Sequence, residues 1–419
     1  MHHFAYQQGR LHAEQTSLAA IAEQVGTPAY VYSQATLTRH FQAFSSAFAG
    51  LDALVCYAVK ANTNRAIMAL FASLGGGADI VSGGELYRAL AAGVEPARVV
   101  YSGVGKSESE MAAALKAGIL LFNLESPQEM AVLDQVAGRL GVKAPVSIRV
   151  NPDVDAQTHP KITTGLAKNK FGLDMELAFQ QYLAARDLAN LEIKGVSCHI
   201  GSQLTDVRPF ADALERLAAL IARLAKAGVR PQILDLGGGL GITYNQEQPP
   251  QPDDYAAALR DTVSRLGMRL VLEPGRVLVG NAGILLTRVL YTKRTPVKRF
   301  LVVDAAMNDL IRPSFYDSYH AIWPGEQKPG ADPVVADVVG PICETGDFLA
   351  RDRELPPFER GDLMAVMSAG AYGFAMSSNY NSRPRAAEVL VNGKSWAVVR
   401  RRETHEDLCR GESLPPWMG

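Results

Sequence analysis

Lys60 ends an apolar run, Leu54-Val55-Cys56-Tyr57-Ala58-Val59, that reads as a buried strand. A lysine carried to the tip of a buried strand is desolvated and loses proton affinity. An uncharged lysine is a nucleophile that can form a Schiff base with an aldehyde. Taken alone, the residue reads more simply as a lysine snorkelling from a strand end. Its company along the chain changes that reading. Glu273-Pro274-Gly275-Arg276 closes another apolar run, Arg269–Leu272. A carboxylate facing the nitrogen of a pyridine ring keeps it protonated and makes the ring a strong electron sink, as decarboxylation of an amino acid needs; an arginine there would leave it neutral. Gly275 lets backbone approach a phosphate closely, and Arg276 offers a bidentate grip on a carboxylate. The simpler reading of Arg276 is an ion pair at the rim.

Other runs add donors of the same kind. Gly237, Gly238 and Gly239 follow the strand-like Gln232–Leu236. Consecutive glycines let N–H groups converge on an anion, although a plain flexible turn has the same composition. Position 242 is Ile, so the run does not match a dinucleotide fingerprint. Gly105-Lys106-Ser107 resembles the end of a nucleotide-binding loop, but Val100 stands where that loop needs glycine, so ATP binding is excluded. Cys198-His199-Ile200-Gly201-Ser202-Gln203 offers an imidazole to stack on a planar ring and a hydroxyl for a phosphate. A strand-end histidine is more often structural. Further on, Cys343-Glu344-Thr345-Gly346-Asp347 presents a thiol among polar groups, a candidate proton donor unless it is a buried small hydrophobe. Gly370-Ala371-Tyr372-Gly373 and Arg312-Pro313-Ser314-Phe315-Tyr316 add two tyrosines and an arginine.

These residues need elements to position them. Eight β-branched runs, Leu54–Val59, Ala78–Val81, Arg98–Tyr101, Ile119–Phe122, Val146–Val150, Gly195–His199, Gln232–Leu236 and Arg269–Leu272, alternate with helical stretches. The helices include Gly84–Ala92, Glu108–Ala117, Ser126–Leu140 and Pro209–Ala227. The pattern predicts an α/β fold, a (β/α)8 barrel over residues 36–280, with a doubly wound open sheet as the alternative. Barrel enzymes work at the carboxyl ends of their strands. Those ends carry Lys60, Ser82, Ser102, Asn123, Arg149 with Asn151, His199, Gly237 and Glu273, all polar or glycine. Strand ends often turn polar merely because the chain surfaces there. After residue 281, short runs such as Phe300–Val303, Val334–Val339, Leu363–Met367, Ala387–Val391 and Ser395–Val399 stand between Pro and Gly clusters. They predict a mostly-β second domain of residues 1–35 and 281–419, which Ala29–Tyr32 is expected to join. The stretch from Pro152 to Lys170 reads as a long functional loop.

Composition sets outer bounds. A chain of 419 residues is too long for one ordinary core. With 47% hydrophobic and 20% charged residues and a net charge of -1, nothing points to nucleic acid or an anionic membrane surface. No apolar stretch has the length of a membrane span, and the start lacks a secretory pattern. Cys56, Cys198, Cys343 and Cys409 are far apart, which predicts reduced thiols in a cytoplasm, with no disulfide framework and no metal site.

Taken in order, Tyr57-Ala58-Val59-Lys60-Ala61-Asn62, the His199–Gln203 run, Gly237–Gly239, Glu273–Arg276, Cys343–Asp347 and Gly370–Gly373 resemble the alanine-racemase-like fold of pyridoxal-phosphate enzymes. Within it they are similar to the diaminopimelate decarboxylase family, over about residues 25 to 400. The resemblance implies pyridoxal 5'-phosphate as cofactor, an amino-acid substrate, and a homodimer whose active sites lie at the interface. It implies that Lys60 holds the cofactor, His199 stacks on its ring and Glu273 pairs with the ring nitrogen. Ser202, Gly237, Gly238, Gly239, Gly275, Arg276 and Tyr372 would surround the phosphate. Arg276, Arg312, Tyr316, Glu344 and Tyr372 would bind substrate, and Cys343, from the partner subunit, would help return the proton. Asp79 and Arg149 look like supporting positions near Lys60 and the ring. Ornithine decarboxylases share much of this set but carry aspartate after the cysteine, where this chain has Glu344. A distal end with both amine and carboxylate needs an anion and a cation, which Glu344 with Arg276 and Arg312 supplies. His159–Gly165 and Asn169–Gly172 also resemble the family; Thr345 departs slightly from its usual serine. The expected activity is decarboxylation of meso-diaminopimelate to L-lysine. The alternatives are a decarboxylase for ornithine, lysine, arginine or a carrier-bound acyl group, and a silent cofactor-binding regulatory protein.

Overall fold

Residues 2–154 and 170–418 are described by the computed structural model. They form two compact units, Thr38–Val279 and a second that joins Met1–Leu37 to Gly280–Gly419. In the first unit eight strands run in order: Ala53–Ala58, Gly77–Ile80, Val99–Tyr101, Leu121–Leu124, Ala144–Arg149, Leu191–Ser197, Ile233–Asp235 and Arg269–Leu272. All pair in parallel, and the eighth returns to the first through Leu270↔Ala53, Val271↔Leu54 and Leu272↔Val55. The sheet therefore closes, which excludes the open-sheet alternative. Leu54, Cys56, Val100, Leu121, Ile233 and Val271 come from five strands and pack as one buried cluster. Side chains from opposite strands can meet only inside, so this part of the barrel interior is packed core. Each large aliphatic buried there contributes about 1.5–3 kcal/mol.

Helix ends follow local chemistry. Helix Glu108–Ala117 starts at Ser107, whose hydroxyl accepts from the Glu110 N–H while the Glu110 carboxylate accepts from the Ser107 N–H. It stops at Gly118, which takes the left-handed conformation (φ +74) that a side chain would resist. Helix Arg208–Lys226 turns Phe210, Ala213, Leu214, Leu217, Leu220, Ile221 and Leu224 inward, a three-four spacing that buries one stripe.

Two strands end two residues away from the ends the residue pattern suggested. The run expected at Ile119–Phe122 forms its strand at Leu121–Leu124, because the Gly118 and Ile119 N–H groups are still spent on Ala114 at the end of the preceding helix. Asn123 is thus inside the strand. The strand expected at Gly195–His199 is Leu191–Ser197, which leaves His199 in the following turn.

The second unit is built on a nine-stranded sheet. Ala29–Ser33, in the segment expected to join the β-rich part, pairs antiparallel with Gly283–Arg294 and parallel with Ala387–Asn392. Phe348–Leu355 went unrecognised in the sequence because Arg351, Asp352, Arg353 and Glu354 interrupt its buried Leu349, Ala350 and Leu355. No helix among the described residues is long and apolar enough to cross a membrane. Most of the loop expected at Pro152 to Lys170, with His159–Gly165 and Asn169, lies outside the described residues.

Candidate active site

The carboxyl ends of the first, second, sixth, seventh and eighth barrel strands carry most of the predicted residues. Lys60 lies on a 3-10 turn, Val59–Ala61, directly after the first strand. Its Nζ donates to Oδ2 of Asp79, on the second strand, at 2.5 Å. The Asp79 side chain is fully buried and that of Lys60 is 38% exposed. The lysine is therefore paired and half-solvated, a correction to the desolvated lysine expected from the apolar run. Glu85, in the first turn of helix Gly83–Ala91, lies close enough to feel both charges, and burial pushes its carboxyl up to about 7.

His199 follows the sixth strand. Its Nδ1 accepts from the Gly238 N–H at 3.2 Å, tying the imidazole to the glycine run after the seventh strand. Burial first, then the charges of Arg149 and Lys60, hold the imidazole well below its ordinary pKa, so the ring is neutral. A neutral aromatic ring fixed at one nitrogen is suited to stacking.

The glycines are required by space. A Cβ on Gly237 would stand 2.7 Å from the Cys198 carbonyl oxygen; one on Gly238 would stand 2.2 Å from that of Glu273. Gly239 adopts φ +125, and a Cβ there would come within 2.6 Å of the Gly201 carbonyl oxygen. Gly275 packs on the first strand, where a Cβ would meet Ala58 and Ala61 at 3.0 and 3.1 Å. Arg276 is buried; its Nη1 donates to Tyr244 Oη at 2.7 Å and its Nη2 to Ser202 Oγ at 3.1 Å. The segments after three strands, the sixth, seventh and eighth, are thereby joined.

Glu273 is buried beside a second carboxylate, Asp235. Asn123 Nδ2 donates to Asp235 Oδ2 at 2.8 Å and to Ser102 Oγ at 3.1 Å, and Ser102 Oγ donates to Glu273 Oε1 at 3.3 Å. Burial, then mutual repulsion with Asp235, raises the Glu273 carboxyl well above its ordinary value. Arg149 is held by Glu125, Nη1 to Oε1 at 2.7 Å, and its guanidinium lies over the Phe171 ring. Asp235, Glu85 and Tyr244 were not picked out from the sequence. For Asp235 a signal existed: an acid inside an otherwise apolar strand.

The other five predicted residues, Arg312, Tyr316, Cys343, Glu344 and Tyr372, belong to the second unit. Arg312 opens the short helix Arg312–Tyr316; it is buried and contacts His320 Nε2 at 3.0 Å and Ser318 Oγ at 3.3 Å. Tyr316 closes that helix, its ring edge-on to Phe315. Cys343 and Glu344 are exposed, in a turn tied down by Asp347, which accepts from the Ile342 and Met307 N–H groups at 2.7 Å each. The Cys343 N–H donates to Asn381 Oδ1 at 2.9 Å, and Tyr380 Oη donates to Glu344 Oε2 at 2.8 Å. Tyr372 takes φ +56 next to Gly373.

The donors around Lys60 and Glu273 fit a pyridoxal group: an amine for the aldehyde, an acid for the ring nitrogen, a neutral imidazole for the ring face, and glycines with an arginine for the phosphate. Comparison with known proteins gives the same answer. Residues 34–280 match the family model described as pyridoxal-dependent decarboxylase, pyridoxal binding domain. A diaminopimelate decarboxylase of Pseudomonas aeruginosa is 56% identical over 413 residues, 99% of each chain. The crystal structure of diaminopimelate decarboxylase from M. jannaschii in co-complex with L-lysine is 39% identical, with a TM-score of 0.94 over 99% of this chain and 98% of that one. That from Helicobacter pylori, complexed with L-lysine, is 43% identical, with a TM-score of 0.90 over 94% and 98%. With such identity along nearly its whole length, the chain belongs to the diaminopimelate decarboxylase family of pyridoxal-dependent decarboxylases.

Proposed function

We propose that this protein decarboxylates meso-diaminopimelate to L-lysine and carbon dioxide. The bond between one Cα and its carboxylate carbon breaks, carbon dioxide leaves, and a proton returns to Cα. The observation that carries the reading is Lys60 and Glu273 at the ends of two adjoining strands, first and eighth, with His199 and the glycine run beside them. Relatives of the same length support it, two of them solved with L-lysine, which this reaction would release.

When bound, pyridoxal 5'-phosphate supplies the sink for the electron pair left at Cα. Lys60 would hold it, with Asp79 orienting the amine. Glu273 would hold a proton on the ring nitrogen, and His199 would cover one ring face. Ser202, Gly237, Gly238, Gly239, Gly275, Arg276 and Tyr372 would bind the phosphate. Arg276, Arg312, Tyr316, Glu344 and Tyr372 would receive the substrate, its distal carboxylate meeting arginine and its distal ammonium meeting Glu344. Cys343 would return the proton to Cα, contributed by a second copy of the chain in a homodimer. Four free thiols support a cytoplasmic setting.

The test is product analysis with purified protein and pyridoxal phosphate, offered meso-diaminopimelate, L-lysine, L-ornithine and L-arginine in parallel. Lysine and carbon dioxide from diaminopimelate alone is the expected result. Turnover of ornithine or lysine instead would overturn the roles given to Arg312 and Glu344 while leaving those of Lys60 and Glu273.

A further inference from the structure

Behind Glu273 lies a closed polar cluster inside the barrel. Asp235 is fully buried on the seventh strand, and its two oxygens are served differently from those of Glu273. Asp235 Oδ1 accepts from the Gly237 N–H at 2.9 Å and Oδ2 from Asn123 Nδ2 at 2.8 Å. Glu273 Oε1 has only long contacts within the cluster, Ser102 Oγ at 3.3 Å and Asn123 Nδ2 at 3.5 Å. The Asn123 amide is oriented by the acid it meets: turned round, its oxygen would face the Asp235 carboxylate, whereas as it stands Oδ1 accepts from Ser147 Oγ, which in turn accepts from Ser197 Oγ at 2.8 Å. Its nitrogen is thus fixed toward the two acids. Two buried carboxylates this close retain one proton between them. The shorter donors favour charge on Asp235 and leave the proton to Glu273.

We propose that Asp235 is a positioning residue for Glu273: it carries the pair's charge, so that Glu273 keeps the proton it hands to the ring nitrogen of a bound pyridoxal group. The idea rests on the function proposed above. In the step, the proton leaves Glu273 Oε for the ring nitrogen, Glu273 becomes a carboxylate, and net charge is unchanged. Asp235, still ionised, then opposes loss of that proton to water and holds the ring protonated to higher pH. The surrounding titratable groups fit this role. Asp79 adds a third carboxylate and Lys60 a nearby cation. Cys56, Cys198 and Tyr255 face the pair as groups that burial keeps neutral. Burial and mutual repulsion raise both acids above their ordinary values.

The first test leaves the acid pair intact and removes the other raised glutamate, Glu85. Infrared difference spectra of Glu85→Gln protein freed of cofactor, with carboxyl-labelled Glu and Asp in separate samples, should show a protonated Glu carboxyl at neutral pH, lost when pyridoxal phosphate is added. Absence of any protonated carboxyl there overturns the proposal. The second test follows the ring nitrogen of 15N-labelled pyridoxal phosphate by NMR in wild type and Asp235→Asn. The variant should lose the ring proton at a pH lower by about one unit or more, a tenfold change in proton affinity; an unchanged titration overturns the proposal. Both readouts are independent of turnover. A protein that shows them but makes no lysine overturns the function and not the role of Asp235. One that makes lysine without them does the reverse.

Discussion

Replacing Gly238 with alanine isolates the steric demand of the strand-end glycines. Gly237 (φ +66) and Gly239 (φ +125) need backbone that side chains resist, but Gly238 does not, so alanine there meets no torsional penalty. It meets a wall instead. The new Cβ would lie 2.2 Å from the Glu273 carbonyl oxygen and 3.1 Å from the Glu273 carbonyl carbon. Carbon and oxygen normally approach to about 3.3–3.6 Å even in favourable C–H···O contacts, so roughly an ångström must be found. Both sides are backbone, and Glu273 is tied back by its N–H to the Gly237 carbonyl at 2.8 Å. Overpacking of this kind costs about 1–3 kcal/mol. At about 2–4 °C per kcal/mol for a unit near this size, melting should fall by about 2–12 °C. A displacement of Glu273 by roughly an ångström should cost on the order of 100-fold in decarboxylation rate. Thermal unfolding and lysine formation measure the two effects. Gly105→Ala is the control, since nothing lies within 4 Å of a Cβ there. A Gly238→Ala protein with the melting temperature and rate of wild type would refute the argument that backbone contact dictates glycine.

Three further outcomes are expected. Lys60→Ala should abolish turnover of diaminopimelate; an active variant without added amine would remove the lysine from the chemistry. Cys343→Ala should slow turnover but leave cofactor binding, read by absorbance, unchanged, because the thiol is exposed in a turn held by Asp347 and Asn381. Glu85 is raised from 4.5 to about 7 by burial, so the folded state binds its proton more tightly than the unfolded chain. Its contribution is present below the ordinary carboxylate value and is lost as pH rises through about 7, on the order of 3 kcal/mol in all. Melting curves of cofactor-free protein from pH 4 to 8 should show that decline flattened in Glu85→Gln.

The barrel was legible in the sequence because a strand buried on both faces leaves a continuous apolar run, and eight such runs alternate with helices. Hydrophobic pattern locates a strand better than it locates its end. Asn123 was read as lying beyond its strand and lies within it; His199 was read as ending its strand and lies beyond it. Hydrogen bonding and glycine caps decide those ends, and neither alters the apolar count. The second unit was less legible. Gly283–Arg294 is buried in its first half and exposed in its second, and Phe348–Leu355 carries four charged residues, so neither keeps one period throughout.

What stayed hidden in the site has a common physical form. Lys60, His199, Glu273 and Arg276 could be named because each ends a run or follows one, where a polar residue stands out. Their partners stand inside strands or loops, where the sequence marks them less plainly. Asp79, expected as a supporting position, and Asp235, not picked out, sit within strands, and Asn123 works through an amide held between Asp235 and a serine on the next strand. A buried acid among apolar neighbours is nonetheless a strong prior signal: it costs free energy unless it is paired or protonated. Asp79 is paired with Lys60, and Asp235 shares its environment with Glu273. Among the described residues of the barrel, the two fully buried strand acids therefore each neighbour a residue proposed to meet the cofactor, and they mark the same end as the half-exposed lysine.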